Sequence, residues 1–190
     1  MRIDIAKENI KTALPNVEEG LSKYRAIQAG IKEVDITRDT DLQRKFNHFY
    51  RLRRAENYRR KVYKLIQEKE TNFEKVLKKL SVNGSVEKSF ASKVVATVNS
   101  NFPIIDSIVL KNIGASTAKY TASSAIELYE EMQKLYKDFL SSEEGKRVIK
   151  MFDECFKGSG MTNVKKLDFI LWQTRGQRKK KSSATKVKKG

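Results

Sequence analysis

Residues 89–114, "SFASKVVATVNSNFPIIDSIVLKNIG", form the least charged stretch of a very basic chain. Ala91, Val94, Val95 and Val98 recur at helical spacing and define the inner face of one helix. Ser89, Ala91 and Ser92 are small, so a neighbouring helix can approach closely. Asn99, Ser100 and Asn101 end that helix, and Pro103 opens the connection. The next helix starts at Asp106, whose carboxylate is placed to accept the orphan amide of Ile108 or Val109. Capping is the simplest reason for an acid between two apolar segments. Upstream, "LSVNGSV" reads as a helix end, a turn at Asn83 and Gly84, and a helix capped by Ser85.

The same periodicity runs outward in both directions. Phe73, Val76, Leu77 and Leu80 form a stripe before the turn. Leu128, Met132, Leu135, Tyr136 and Phe139 form one after it, and Val148, Ile149, Phe152 and Phe156 form another. Ser141 and Glu144 make a capping-box pattern, and Asp41 is placed to cap a helix beginning "LQRKF". No sustained strand alternation or hairpin turn is present. The expectation is an all-α domain of eight to ten helices over residues 1–176. The tail at 177–190 loses apolar periodicity and is expected to be disordered.

Charge is concentrated. The chain has 190 residues and a net charge of +17. Between Arg44 and Lys64 there are nine Lys or Arg against a single acid, Glu56. From Arg175 to Gly190 there are eight Lys or Arg and no acid. The remainder is nearly neutral. Two such clusters read as a phosphate-backbone footprint, with a solvated face and a solubilising tail as the plainer alternative. Arg44, Lys45, Arg51, Arg53, Arg54, Arg59, Arg60 and Lys61 are the candidate contacts in the first cluster. Arg175, Arg178, Lys179, Lys180 and Lys181 are those in the second. Phe46, Phe49, Tyr50, Tyr58 and Tyr63 interleave with the first cluster. These could stack on bases, but Phe46, Phe49 and Tyr50 are read first as the buried face of an amphipathic helix.

Several classes are set aside. His48 is the only histidine and Cys155 the only cysteine, so no zinc site, internal disulfide or Ser/His/Asp triad is expected, and no cofactor is implied. His48 reads as a surface or phosphate-contacting residue, Cys155 as structural, and Trp172 as core packing. No apolar run approaches the roughly 20 residues that span a bilayer. "MRIDIAKENI" has no apolar signal core, which with the lone cysteine gives a cytoplasmic expectation.

A helix–turn–helix, a second helix with small residues and a lysine, then proline, apolar residues and a capping aspartate resemble the helix-hairpin-helix DNA glycosylase superfamily. The nearest resemblance is to the 8-oxoguanine DNA glycosylase fold and its small bacterial relatives of unknown role. It rests on "FASK" at 90–93, "PIIDSIV" at 103–109 and "KKLDFILWQTRG" at 165–176, within about residues 70 to 176. The resemblance implies double-stranded DNA as partner and excision of damaged bases, with or without cleavage at the abasic site. It makes Asp106 the catalytic acid that supports a sugar cation. It makes Lys88 the nucleophile, with Lys93 the runner-up; such a lysine must lose its proton to act. The alternative is a non-catalytic DNA- or RNA-binding module with the same fold. The turn at Gly84, Ser85 and Val86 could hold a phosphate on helix amides. Two departures from the family pattern stand out: the hairpin is "SVNGSV", keeping one glycine of two, and Ser107 and Ile108 stand where a histidine often follows the aspartate.

Overall fold

The computed structural model describes residues 1–82, 84–118 and 120–174. These residues are all-helical, with no strand among them. Ten α-helices occur in chain order: α1 (Lys7–Ala13), α2 (Val17–Glu33), α3 (Thr40–Tyr50), α4 (Glu56–Gln67), α5 (Phe73–Leu80), α6 (Lys88–Val98), α7 (Ser107–Asn112), α8 (Ala122–Ser141), α9 (Glu143–Cys155) and α10 (Asn163–Gln173). A 3₁₀ turn at Leu14–Asn16, carrying Pro15, joins α1 to α2.

The apolar stripes become the core. Phe73, Val76, Leu77 and Leu80 of α5 are all buried, as are Leu42, Phe46 and Tyr50 of α3. In α8 the buried set includes Leu128, Met132, Tyr136 and Phe139, with Leu135 half-buried. The helix α10 lies deepest, with every residue from Lys165 to Leu171 buried. It packs against α2, α7, α8 and α9. Burial on nearly all sides explains why it reads as apolar from Leu167 to Trp172, broken only by Asp168.

Asp106 caps α7, accepting from Ile108 N at 2.9 Å. Three other capping expectations shift by a few residues. The α3 cap is Asp39, accepting from Leu42 N, and Asp41 lies inside the first turn. Ser142, accepting from Gly145 N, caps α9 in place of Ser141. Ser85 is not a cap: it donates to the Val82 carbonyl, and α6 begins at Lys88. In each case neighbouring residues of similar capping ability compete, and backbone direction decides between them.

The helices α5 and α6 pack against each other. Their connection turns at Gly84, whose φ of +76° is left-handed, a conformation glycine adopts without steric cost. Ser92 anchors the connection between α6 and α7. Its hydroxyl donates to the Ser89 carbonyl at 2.9 Å and accepts from Ile105 N at 2.8 Å. The Pro103 carbonyl accepts from Tyr129 OH at 3.3 Å. The segment before Asp106 is thus held from both sides, and the acid's position is set by buried bonds.

Candidate functional site

A cavity of about 240 Å³ opens where the C-terminal end of α3, α6, the start of α7 and α10 meet. That is below the roughly 300–1,000 Å³ of a drug-sized site and suits a small flat group. Its walls include Phe49, Tyr50, Phe90 and Trp172. The Phe49 and Trp172 rings meet edge to face at 6.2 Å. Its polar groups include Lys93, Asp106, Arg51, Lys165 and Asp168. Trp172 is half-buried: it packs against the core, as expected, and also forms part of the cavity wall.

Lys93 and Asp106 come together here. The Lys93 amine lies 5.0 Å from the centre of the Phe90 ring and has one long hydrogen bond, 3.5 Å, to the Tyr50 carbonyl. Burial pushes its pKa below the ordinary lysine value. Asp106 acts against that shift and the nearby Arg51 adds to it. A lysine so placed gives up its proton more readily than a solvated one. Asp106 is half-buried and spends one carboxylate oxygen on the α7 cap. Arg51 reaches the cavity from a left-handed backbone, φ 54°. That conformation costs a non-glycine residue about 1–2 kcal/mol.

The cavity floor holds a buried ion pair that sequence reasoning does not reveal. Lys165 Nζ lies 2.7 Å from Asp168 Oδ2, with side chains only 2% and 6% exposed. Asp168 Oδ1 accepts from Tyr136 OH at 2.9 Å and from Ile104 N at 3.4 Å. Burial pushes the Asp168 carboxyl above its ordinary pKa, and Lys165 pulls it back. Beside the pair, Tyr24 also lines the cavity, its hydroxyl buried without a hydrogen-bond partner among the described residues. One signal is available in the sequence: Lys165 and Asp168 stand three residues apart at the start of the apolar run of α10. The aromatic walls give none, because they come from residues 24, 49, 90 and 172.

Lys88 is not among the cavity residues. Its amine lies over the Tyr120 ring at 4.4 Å, and burial lowers its pKa as well. Gly84 and Ser85 are exposed and Val86 half-buried, in the loop ahead of α6. The amides expected there to begin a helix do not: the residue at the helix start is an acid, Glu87. Arg54 holds Glu87, with Arg54 N–H to both carboxylate oxygens at 2.8 and 3.1 Å, and Tyr58 OH donates to it at 3.3 Å.

The first basic cluster is on the surface. Arg44, Lys45, Arg51, Arg53, Arg54, Arg60 and Lys61 are exposed and Arg59 half-buried. Phe46 and Tyr50 are buried and Phe49 is half-buried against the core, as the helix-face reading expects; Tyr63 is also buried and Tyr58 half-buried. His48 is exposed. Cys155 is also exposed, a correction to its structural reading. Arg175, Arg178, Lys179, Lys180, Lys181 and the tail from 177 lie outside the described residues. Among the described residues no helix is long and apolar enough to cross a membrane. Compared with known proteins, the chain matches no family model, no curated protein and no solved structure.

Proposed function

We propose that the chain is a DNA-binding protein of the helix-hairpin-helix glycosylase kind, whose cavity takes in an extruded base or an abasic sugar. The observation that carries this reading is the meeting of Lys93 and Asp106 in one aromatic-walled cavity. Aromatic walls suit a base removed from its stack. Neutral Lys93 attacks the sugar C1′. With an intact nucleotide, the amine's bond to C1′ forms as the glycosidic bond breaks, its electron pair leaves on the base, and the base takes up the proton that the newly bonded nitrogen sheds. With an abasic aldehyde, the neutral amine adds to the carbonyl, and the resulting carbinolamine takes up a proton from solvent and loses water to give an iminium. Asp106 supports the cationic sugar as charge develops. Lys93 takes this role ahead of Lys88 because it shares the cavity with Asp106.

The test is borohydride trapping on a duplex containing an abasic site, where hydride reduces the iminium to a stable amine. The parent and Lys88→Gln should form a covalent adduct and Lys93→Gln should not. An adduct lost only in Lys88→Gln would move the nucleophile to Lys88.

A second reading, a binding module without chemistry, is favoured by one observation: Glu87 places a carboxylate at the start of α6, where a hairpin would receive a phosphate. A parent chain that binds duplex but neither traps an abasic site nor excises from a broad lesion panel establishes that reading.

A further inference from the structure

A second depression, about 550 Å³, lies between α3 and α4 and shares no lining residue with the cavity. Four arginines line it: Arg38 ahead of α3, Arg44 on α3, and Arg59 and Arg60 on α4. Glu56 is the only acid on its walls. We propose that this groove is a separate phosphate-binding site that holds the sugar–phosphate backbone of a nucleic acid beyond the nucleotide in the cavity. The inference rests on the nucleic-acid reading of the cavity and adds a place and a mode of contact to it.

The chemistry of the walls selects phosphate. A guanidinium presents paired N–H groups that match two phosphate oxygens. Three of the four arginines rest on exposed carboxylates: Arg44 on Asp41 at 2.6 Å, Arg60 on Glu56 at 2.5 Å, and Arg38 on Asp35 at 3.7 Å. Exposed pairs of this kind are weak and are readily exchanged for a phosphate partner. Arg59 has no carboxylate partner among the described residues. Asn47 adds a neutral donor: its Oδ1 accepts from Tyr63 OH at 2.9 Å, which leaves its amide N–H₂ without a protein acceptor among the described residues.

The same walls do not select a base. The one aromatic residue in the groove, Tyr63, is buried, with its ring edge to face against Phe46 at 6.4 Å. No open ring face is offered for stacking, so the groove reads charge and not base identity. The helix α3 separates the two sites. Phe49 and Tyr50 line the cavity, while Thr40, Gln43, Arg44 and Asn47 line the groove. Arg44 and Tyr50 are about 9 Å apart along the helix axis. A ligand that reaches both sites carries several anionic groups along its length, as a nucleic-acid strand does and a free phosphate does not.

The experiment is equilibrium binding of the full chain to duplex DNA, with and without an abasic-site analogue, over a range of salt concentrations. The parent, a groove variant (Arg38→Gln/Arg44→Gln/Arg59→Gln) and a cavity variant (Lys93→Gln) are compared. The plot of log K against log salt should flatten in the groove variant by about 0.9 for each phosphate no longer neutralised, and so by up to about 2.7. The affinity loss should be the same for both duplexes. Lys93→Gln should keep most of the slope. If the triple variant does not fold, Arg59→Gln alone should lower the slope by about 0.9. A parent that binds duplex and a folded groove variant with the parent's slope overturn the groove and leave the cavity reading intact. A parent that binds no nucleic acid overturns both. Loss of binding to vesicles of anionic phospholipid in the groove variant, with duplex binding unchanged, assigns the groove to a membrane surface and overturns the proposal.

Discussion

Two ion pairs in this molecule have the same design and opposite surroundings. Arg44–Asp41 on α3 and Lys165–Asp168 on α10 each join a cation to an aspartate three residues away, at 2.6 and 2.7 Å. The first pair has side chains 77% and 55% exposed, the second 2% and 6%. In water such a pair is screened and its partners exchange. Inside the protein each charge has lost its hydration and depends on the other. The groove therefore holds charge ready to leave its partner for a ligand, and the cavity holds charge that cannot leave.

The largest expected effect comes from that dependence. Asp168→Asn keeps an acceptor for Tyr136 but leaves the Lys165 ammonium without its anion. Breaking a buried pair from one side costs about 3–5 kcal/mol, read as a lower denaturation midpoint at unchanged slope. Replacing both members with apolar residues, Lys165→Met/Asp168→Leu, should recover most of that loss. A double variant as unstable as Asp168→Asn would mean that the pair organises the core beyond its own charges.

The contrast also marks how far local sequence rules reach. The stripe Phe73, Val76, Leu77, Leu80 and the Asp106 cap are legible, because periodicity and capping are local. Asp39, Ser142 and Glu87 lie one or two residues from Asp41, Ser141 and Ser85, the residues the sequence favours, since each site offers several competent residues. Lys165–Asp168 is not legible as buried: the spacing that makes a surface pair also makes an interior one, and only the packing of α10 distinguishes them. The aromatic walls are invisible to any local rule, because four helices supply them.

Asp106→Asn sharpens the comparison within the cavity. Asparagine caps nearly as well as aspartate, so the melting temperature should barely move. If the carboxylate supports a sugar cation, trapping or excision should fall on the order of 10²-fold. An equally active variant would leave Asp106 with capping alone.

Lys93 supplies a pH signature. Its pKa is depressed by burial, while in the unfolded chain it returns to about 10.4. Between those two values the unfolded state holds a proton that the folded state has lost. Stability of the parent relative to Lys93→Met should therefore rise with pH across that window. The trapping rate should climb with pH and level off below the ordinary lysine pKa. A difference in stability that falls with pH would contradict the burial of this amine.

The smallest expected effect is at the groove. The hydrogen bond and charge of Lys45, with Arg44 beside it, hold the Asp41 carboxyl below the usual aspartate range, so it is ionised at neutral pH. Asp41→Asn removes that charge from the exposed surface. The cap of α3 is untouched, because Asp39 accepts from Leu42 N at 2.7 Å. The helix loses only a modest first-turn charge interaction, and melting should be nearly unchanged. Arg44 is then released into the groove and the local positive charge rises, so duplex binding should tighten by a few-fold at low salt. The gain should shrink as salt rises, since screening weakens exposed charges first. A variant that binds more weakly than the parent would mean that Asp41 orients Arg44 for phosphate and does not compete with it.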